Sequence, residues 1–398
     1  MNDVYTQSVE LHRKNKGKLG VQSIVEVKDR ASLSLVYTPG VAQVCREIAR
    51  DKNESFELTL RGRSVAVVSD GSAVLGLGNI GAEAAMPVME GKALLFKQFG
   101  GVDAVPLCID LHTADEIVNF VKAIAPSFGG INLEDITSPL CIEVEDRLQD
   151  IGIPVVHDDQ HGTAITVSAA LMNGAKVVGK KYEDLKVVIS GAGSAGLAIA
   201  QMLLSLDRKG GELLYKDDPC KVRDVIILDS KGIITKESDS WKGKFASLTN
   251  IEEKHGDLAE AMKGADAFIG VSKGGLVTAE MVSTMATDAI VIAMANPDPE
   301  ILPDEAKKGG ARIVGTGRSD FNNQINNSLV FPGLFRGLLD SHATKISVGI
   351  KQAARDALAG FLTPTEDKIL PSMFDPGQAD VIAKAVAEQV KKEGLART

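Results

Sequence analysis

Two acidic pairs stand close together in the chain, Glu134-Asp135 after Ile131-Asn132-Leu133, and Asp158-Asp159 within Val155-Val156-His157-Asp158-Asp159-Gln160-His161-Gly162-Thr163-Ala164. Carboxylates that can converge suit a hard divalent cation, because Mg²⁺ and Mn²⁺ prefer oxygen ligands. Just downstream, Gly191-Ala192-Gly193-Ser194-Ala195-Gly196 follows the apolar run Leu185-Lys186-Val187-Val188-Ile189 with only Ser190 between. A glycine turn between strand and helix is what a dinucleotide pyrophosphate needs: the backbone can approach it and the helix N-terminus can face it. A cation and a nicotinamide together suggest an oxidation whose product is then worked on by a Lewis acid.

The G-x-G-x-x-G spacing also occurs as Gly76-Leu77-Gly78-Asn79-Ile80-Gly81. There, however, Ser69-Asp70-Gly71-Ser72-Ala73-Val74-Leu75 intervenes after the strand, too long a loop for the tight turn. The dinucleotide is therefore assigned to Gly191, Gly193, Ser194, Ala195 and Gly196, and the earlier glycines to a turn or to another ligand. Asp229 ends the next strand, where its carboxylate can hold the ribose hydroxyls and favour NAD; Ser230-Lys231 follow at once and leave NADP open. A polar excursion over residues 207–219 accounts for the long gap before Asp229.

Either acidic pair alone would be read as a helix cap. Both instead follow strand-like residues, at the rim where α/β sheets place ligands. His157 and His161 have a spacing similar to a zinc H-x-x-x-H pair, but the glutamate of HExxH is missing, so they are read as satisfied polar histidines.

The elements that must position these groups alternate. Strands are expected at residues 65–68, 104–109 and 153–156, with helices at 82–99 and 117–124. A second block has strands at 186–189, 225–228, 267–270, 290–293 and 313–314. This β-α alternation predicts parallel sheets covered by helices, an α/β fold with a doubly wound, Rossmann-like nicotinamide domain and an α/β substrate domain. Ile346, Ile350, Ala354, Leu358 and Ile382, Val386, Val390 recur at helical spacing and predict C-terminal helices. At 398 residues two domains are expected, and 44% hydrophobic with 24% charged residues are the proportions of a soluble globular chain. The net charge of −9 argues against nucleic acid. No stretch is long and apolar enough for a bilayer, and the N-terminus lacks a signal peptide's apolar core. The four cysteines, Cys45, Cys108, Cys141 and Cys220, are scattered without a CxxC pair. Free thiols in a reducing, cytoplasmic setting are expected.

Taken in order, the motifs resemble those of the malic enzymes of the short prokaryotic form. They are Tyr37-Thr38-Pro39-Gly40-Val41-Ala42, Asp70-Gly71 with Leu75-Gly76-Leu77-Gly78, Glu90-Gly91-Lys92, the two acidic segments, Asn296-Pro297, and Asn326-Asn327 leading into Phe331-Pro332-Gly333. The resemblance covers nearly the whole chain. It implies Lys92 as general base and Tyr37 as general acid, with Glu134, Asp135 and Asp159 on Mg²⁺ or Mn²⁺ and Asp158 as a supporting carboxylate. It places Asn296 and Asn327 on substrate and nicotinamide. The implied activity is oxidative decarboxylation of malate to pyruvate and CO₂ with reduction of NAD(P), and decarboxylation of oxaloacetate, by a homo-oligomer. The implied domains are substrate 1–160, nicotinamide 161–328, and helices 329–398 returning to the substrate domain. Two alternatives are a malolactic-type enzyme with bound NAD and a non-catalytic nucleotide sensor; the second has no use for Lys92, Tyr37 and the carboxylates. One departure stands out: where long forms carry a substrate-binding arginine, this chain has Ser72-Ala73.

The lysine can act as a base only if burial or a neighbouring cation lowers its pKa. Its apolar neighbours Met89, Ala93, Leu94, Leu95 and Phe96 predict such a lowering.

Overall fold

Runs of β-branched and aliphatic residues make strands that are buried on both faces, as parallel sheets require. The computed structural model describes residues 3–74, 76–209, 211–216, 220–238 and 240–397; Leu75, Gly210 and residues 217–219, which fall in stretches read above, lie outside these. Four short helices come first: α1 (Val4–Asn15), α2 (Arg30–Val36), α3 (Val41–Arg50) and α4 (Glu54–Leu58). A four-stranded parallel sheet follows, built from β1 (Ser64–Ser69), β2 (Asp103–Cys108), β3 (Gly130–Leu133) and β4 (Val155–His157) in the order β2-β1-β3-β4. Its crossovers are α5 (Ala82–Gly100), α6 (Ala114–Ile124) and α7 (Leu140–Leu148). A capping box between Thr113 and Glu116 starts α6. The long helix α8 (Asp158–Val177) leaves β4 without a loop and carries the chain to the second sheet.

That sheet has the order β12-β11-β10-β5-β8-β9. Its members are β5 (Lys186–Ser190), β8 (Asp224–Asp229), β9 (Gly232–Ile233), β10 (Ala267–Gly270), β11 (Ala289–Ala293) and β12 (Ala311–Thr316), parallel except for β9. Helix α9 (Ser194–Leu203) begins inside the glycine turn, and α10 (Ser240–Ala246), α11 (Leu258–Met262), α12 (Ala279–Ser283) and α13 (Pro303–Lys308) complete the covering. The chain then returns to the first sheet through α14 (Phe331–Asp340), α15 (Val348–Gly360) and α16 (Gln378–Lys392). Phe331 and Phe335 of α14 pack on Phe96 of α5 with ring centroids 4.7 and 5.3 Å apart. Among the described residues no helix is long and apolar enough to cross a membrane.

The strand-like residues before Glu134 are strand β3, as their place at the rim requires. Two local expectations need correction. The strand expected at 153–156 runs instead over Val155–His157, because Pro154 lacks the N–H a ladder needs. The supposed solvated excursion holds a hairpin, β6 (Leu206–Lys209) paired with β7 (Glu212–Tyr215). Its Arg208 turns inward, 2.7 Å from Glu145 and 2.5 Å from Asp146.

Candidate active site

Strand register sets the rim of the first sheet. Val68, Leu133 and His157 lie abreast, so the chain leaves three neighbouring strand ends into Asp70, Glu134 and Asp158. Lys92 reaches this rim from α5 and is 8% exposed. Its Nζ lies 2.6 Å from Asp158 Oδ2, 2.7 Å from Glu134 Oε1, and 4.2 Å from the centre of the Phe331 ring. Asn132 Nδ2 donates to the other oxygen of Glu134 at 2.8 Å. Asp158 sits in the first turn of α8, where a helix N-terminus favours a carboxylate, and is fully buried. A side chain at Gly162 would overlap Asp158 Oδ1 and approach Cβ of Asn327 to 3.2 Å, so the glycine is required and Asn327 is beside the carboxylate.

The second pair interlocks with the first. Asp159 accepts the Asp135 backbone N–H at 2.9 Å, and Asp135 itself has φ 53°, an uncommon conformation for a residue with a side chain. Ser72 joins the loop over β1 to this one: its hydroxyl donates to Asp70 Oδ1 at 2.6 Å and accepts the Thr137 N–H at 2.9 Å. Where the resemblance leads one to look for an arginine, Ser72 thus ties two loops together. Asp70 Oδ2 and Asp158 Oδ1 are buried without a hydrogen-bond partner among the described residues. His161 is bonded to Glu145 at 2.9 Å, as expected of a satisfied histidine. His157 is fully buried with neither ring nitrogen in a hydrogen bond among the described residues, contrary to that expectation.

Among the described residues no three His, Cys, Asp or Glu side chains already surround a common point as metal ligands do. Glu134 is turned towards Lys92 and Asn132 instead. The charge count nevertheless suits a cation: Glu134, Asp135, Asp158 and Asp159 face one ammonium. Burial, Asp159, Asp158 and Asp135 together hold the Glu134 carboxyl well above its usual value against the pull of Lys92. Asp158 is raised too, by burial first. The lowering expected for Lys92 is reversed. Burial does pull it down, but Asp158, Glu134 and Asp159 outweigh burial and keep the ammonium charged well above its ordinary range.

The second sheet carries the glycine turn at the end of β5. Gly191 has φ 120°, and a Cβ there would come 2.6 Å from the Val271 carbonyl; Gly193 has open space before it, and a Cβ at Gly196 would overlap the Gly191 carbonyl. A close turn, an open approach and close helix packing are the three requirements of a dinucleotide site. Ser194 and Ala195 open α9 directly behind Gly193. Asp229 ends β8, but neither oxygen is free: Oδ1 accepts the Lys231 N–H at 2.8 Å and Oδ2 the Lys242 ammonium at 2.8 Å. Asn296 is exposed on the loop after β11, and its carbonyl lies 3.6 Å from where a Cβ of Gly76 would be. The earlier glycine turn therefore abuts the Asn296 loop.

Tyr37 is not brought into this cluster by any hydrogen bond among the described residues; it caps α2 and is 67% exposed. Sequence reasoning gave no role to Asn132 or Phe331, although both stand in the quoted motifs, and it passed over Lys242, which carries no local signal. Two parallel α/β sheets, a dinucleotide turn on one and a buried lysine among carboxylates on the other define a nicotinamide-dependent oxidoreductase of two domains. Residues 16–116 match the malic enzyme N-terminal domain and residues 160–395 the malic enzyme NAD binding domain. The chain is 48% identical to the bifunctional malic/malolactic enzyme of Bacillus subtilis, over 98% of this chain and 94% of that one. Among solved structures, the NAD-dependent malic enzyme of Thermotoga maritima superposes with a TM-score of 0.90 at 43% identity, covering 97% of this chain and 99% of that one. The malic enzyme of Pyrococcus horikoshii does so with 0.92 at 46%, covering 100% and 92%. The chain belongs to the malic enzyme family of NAD(P)-dependent, decarboxylating oxidoreductases.

Proposed function

We propose that this enzyme oxidises malate at C2, passes the hydride to NAD(P), and releases pyruvate and CO₂. The observation that carries this reading is Lys92, buried between Asp158 and Glu134 on a rim that faces the dinucleotide domain. Lys92 takes the C2 hydroxyl proton, and Asp158 holds its ammonium in place. Tyr37 returns a proton to C3 after carboxylate loss, while Asn296 and Asn327 orient malate and the nicotinamide. Glu134, Asp135 and Asp159 are the residues to hold Mg²⁺ or Mn²⁺, for which their oxygens and excess charge are suited. A cation there supplies Lewis-acid stabilisation for the charge that develops on the substrate as CO₂ leaves. A cation held there would offset the carboxylates that now raise Lys92, and its positive charge would add to burial in favouring the neutral, basic lysine. Added oxaloacetate enters at the decarboxylation step.

The test is malate turnover followed by NADH and NADPH absorbance. EDTA abolishes it and Mn²⁺ or Mg²⁺ restores it; full turnover in chelator overturns the cation assignment. A malolactic outcome is kept as the second reading because the Bacillus subtilis relative is bifunctional by name. Lactate formed without release of NADH would establish it.

The N-terminal 1–160 and C-terminal 329–398 segments are read as one substrate domain around the nicotinamide domain 161–328, and cysteines scattered without a CxxC pair suit the cytoplasm. Helices α1, α2 and α3 contain no buried residue, and Val4, Tyr5, Val9, Leu33, Leu35, Val36 and Tyr37 are all exposed. We read this surface as covered by a second copy of the chain, whose site receives Tyr37.

A further inference from the structure

Glu300 is one of the buried carboxylates to which the chemistry above gives no part. It is fully buried and lies beyond the end of β11 in Asn296-Pro297-Asp298-Pro299-Glu300. Its Oε1 accepts the Ser272 backbone N–H at 2.9 Å and its Oε2 accepts the Ala295 backbone N–H at 3.0 Å. Ser272 belongs to the loop after β10, and Ala295 is the residue before Asn296. Ser272 Oγ is 3.0 Å from Ser190 Oγ at the end of β5, immediately before the dinucleotide turn. Around this carboxylate the two loops are laced together: the Gly275 N–H bonds the Pro299 carbonyl at 3.1 Å and the Val277 N–H that of Glu300 at 3.0 Å. A side chain at Gly270, the last residue of β10, would overlap the carboxylate, so the strand end is shaped to admit it.

Three strand ends of the nicotinamide sheet, β5, β10 and β11, are thus connected through one side chain. Asn296 is itself exposed, so its position depends on the buried residues of its loop, Ala295, Pro299 and Glu300. A buried anion that accepts N–H bonds from two loops can fix that position, because leaving either donor unpaired in the interior is costly.

We propose that Glu300 is a positioning residue for hydride transfer, fixing Asn296 and the loop after β10 against the dinucleotide turn through its two backbone hydrogen bonds. This rests on the assignment of Asn296 to substrate and nicotinamide. The role requires two acceptor oxygens. Glutamine is similar in shape but offers one acceptor and an NH₂ donor, so in Glu300→Gln either Ser272 or Ala295 would point its N–H at another N–H.

The experiment uses the full chain with NAD, Mn²⁺ and malate, unlabelled or deuterated at C2. Glu300→Gln is expected to lower kcat by about 10- to 100-fold, as small misplacements of reacting groups do. KM for NAD changes less than kcat, and the deuterium isotope effect rises because hydride transfer has become the slow step. Glu300→Asp keeps the charge and both acceptors and recovers part of the loss; it also serves if the glutamine variant does not fold. In an Asn296→Ala background the further effect of Glu300→Gln should vanish, since Glu300 acts through that loop. A glutamine variant with unchanged kcat and isotope effect, or losses that simply multiply in the double variant, overturns the proposal. So does a lower melting temperature with no change in isotope effect, which is the signature of a merely structural role. Absence of malate-dependent NADH or NADPH in the wild type would instead overturn the proposed function.

Discussion

Lys92 shows how a residue's neighbours can reverse what its own segment suggests. It is buried, as are Met89, Ala93 and Phe96 beside it on α5. The carboxylates that raise its pKa come from Glu134 and Asp158, distant in sequence and brought together only by strand order. Its role is separable from that of the cation by choice of substrate. Lys92→Ala should abolish malate oxidation but keep cation-dependent decarboxylation of added oxaloacetate, which omits the first deprotonation. Equal loss of both would show that the lysine is not the base. Asp229 is a second case. Its place at a strand end was legible from the apolar run before it, but not its pairing with Lys242, which comes from a helix after β9. Lys242 therefore screens the charge through which Asp229 would favour NAD. Lys242→Ala should free the carboxylate for the ribose hydroxyls and raise the NAD to NADP ratio of kcat/KM. The shift should be roughly tenfold, since a charge-assisted hydrogen bond is worth on the order of 1.5–3 kcal/mol. An unchanged ratio would place Lys242 outside cofactor selection.

At the level of elements, long helices and apolar strands were legible because each carries its own period, as in α5 and β5. What escaped was what depends on partners: the polar hairpin β6–β7, which is held by ion pairs rather than by an apolar face. Behind the carboxylate rim that hairpin meets α7, α8 and α15. Glu145 accepts the His157 backbone N–H at 3.0 Å and pairs with His161 and Arg208. Lys351 of α15 points into the same group, with its Nζ 3.1 Å from His161 Nδ1 and no carboxylate at ion-pair distance among the described residues. Burial lowers its pKa to about 8, with Arg208 adding to the effect and Glu145 opposing it. The unfolded chain keeps this lysine protonated to about 10.4. Below about pH 8 both states are charged and the fold bears the full cost of the buried ammonium. Between there and the unfolded value the fold loses its proton first, so that cost fades. Lys351→Met should therefore raise the melting temperature by a few degrees at pH 7, and the gain over the wild type should shrink as pH rises through 8 to 10.5. A gain independent of pH would mean that packing, not charge, is responsible.

On the scale of the whole molecule, two parallel sheets in succession and helices at the C-terminus could be anticipated, because α/β alternation and helical spacing are properties of the chain itself; that those helices return to the first part of the chain was implied by the resemblance alone. The setting of the first fifty residues could not be anticipated, since a turn motif such as Tyr37-Thr38-Pro39 says nothing of which surface it meets. Those residues form helices with an apolar, exposed surface, and Tyr37 stands on it while Lys92 is enclosed by α14 and the carboxylates. Exposed apolar area of this kind marks an interaction surface rather than a finished exterior. If the covering partner is a second copy, each complete site combines Lys92 of one chain with Tyr37 of the other. Tyr37→Phe and Lys92→Ala proteins, each defective alone in steady turnover of malate to pyruvate, should then regain activity when dissociated together and reassociated, because a mixed dimer has one site with both residues intact and one with neither. Random pairing makes about half the dimers mixed, each with half its sites complete, so recovery should approach about a quarter of wild-type activity for a closed two-fold pair. Light scattering on the same samples checks that they are dimers. Recovery of nothing, with dimers formed, would mean that Tyr37 and Lys92 act within one chain and that α1 to α3 close over their own site.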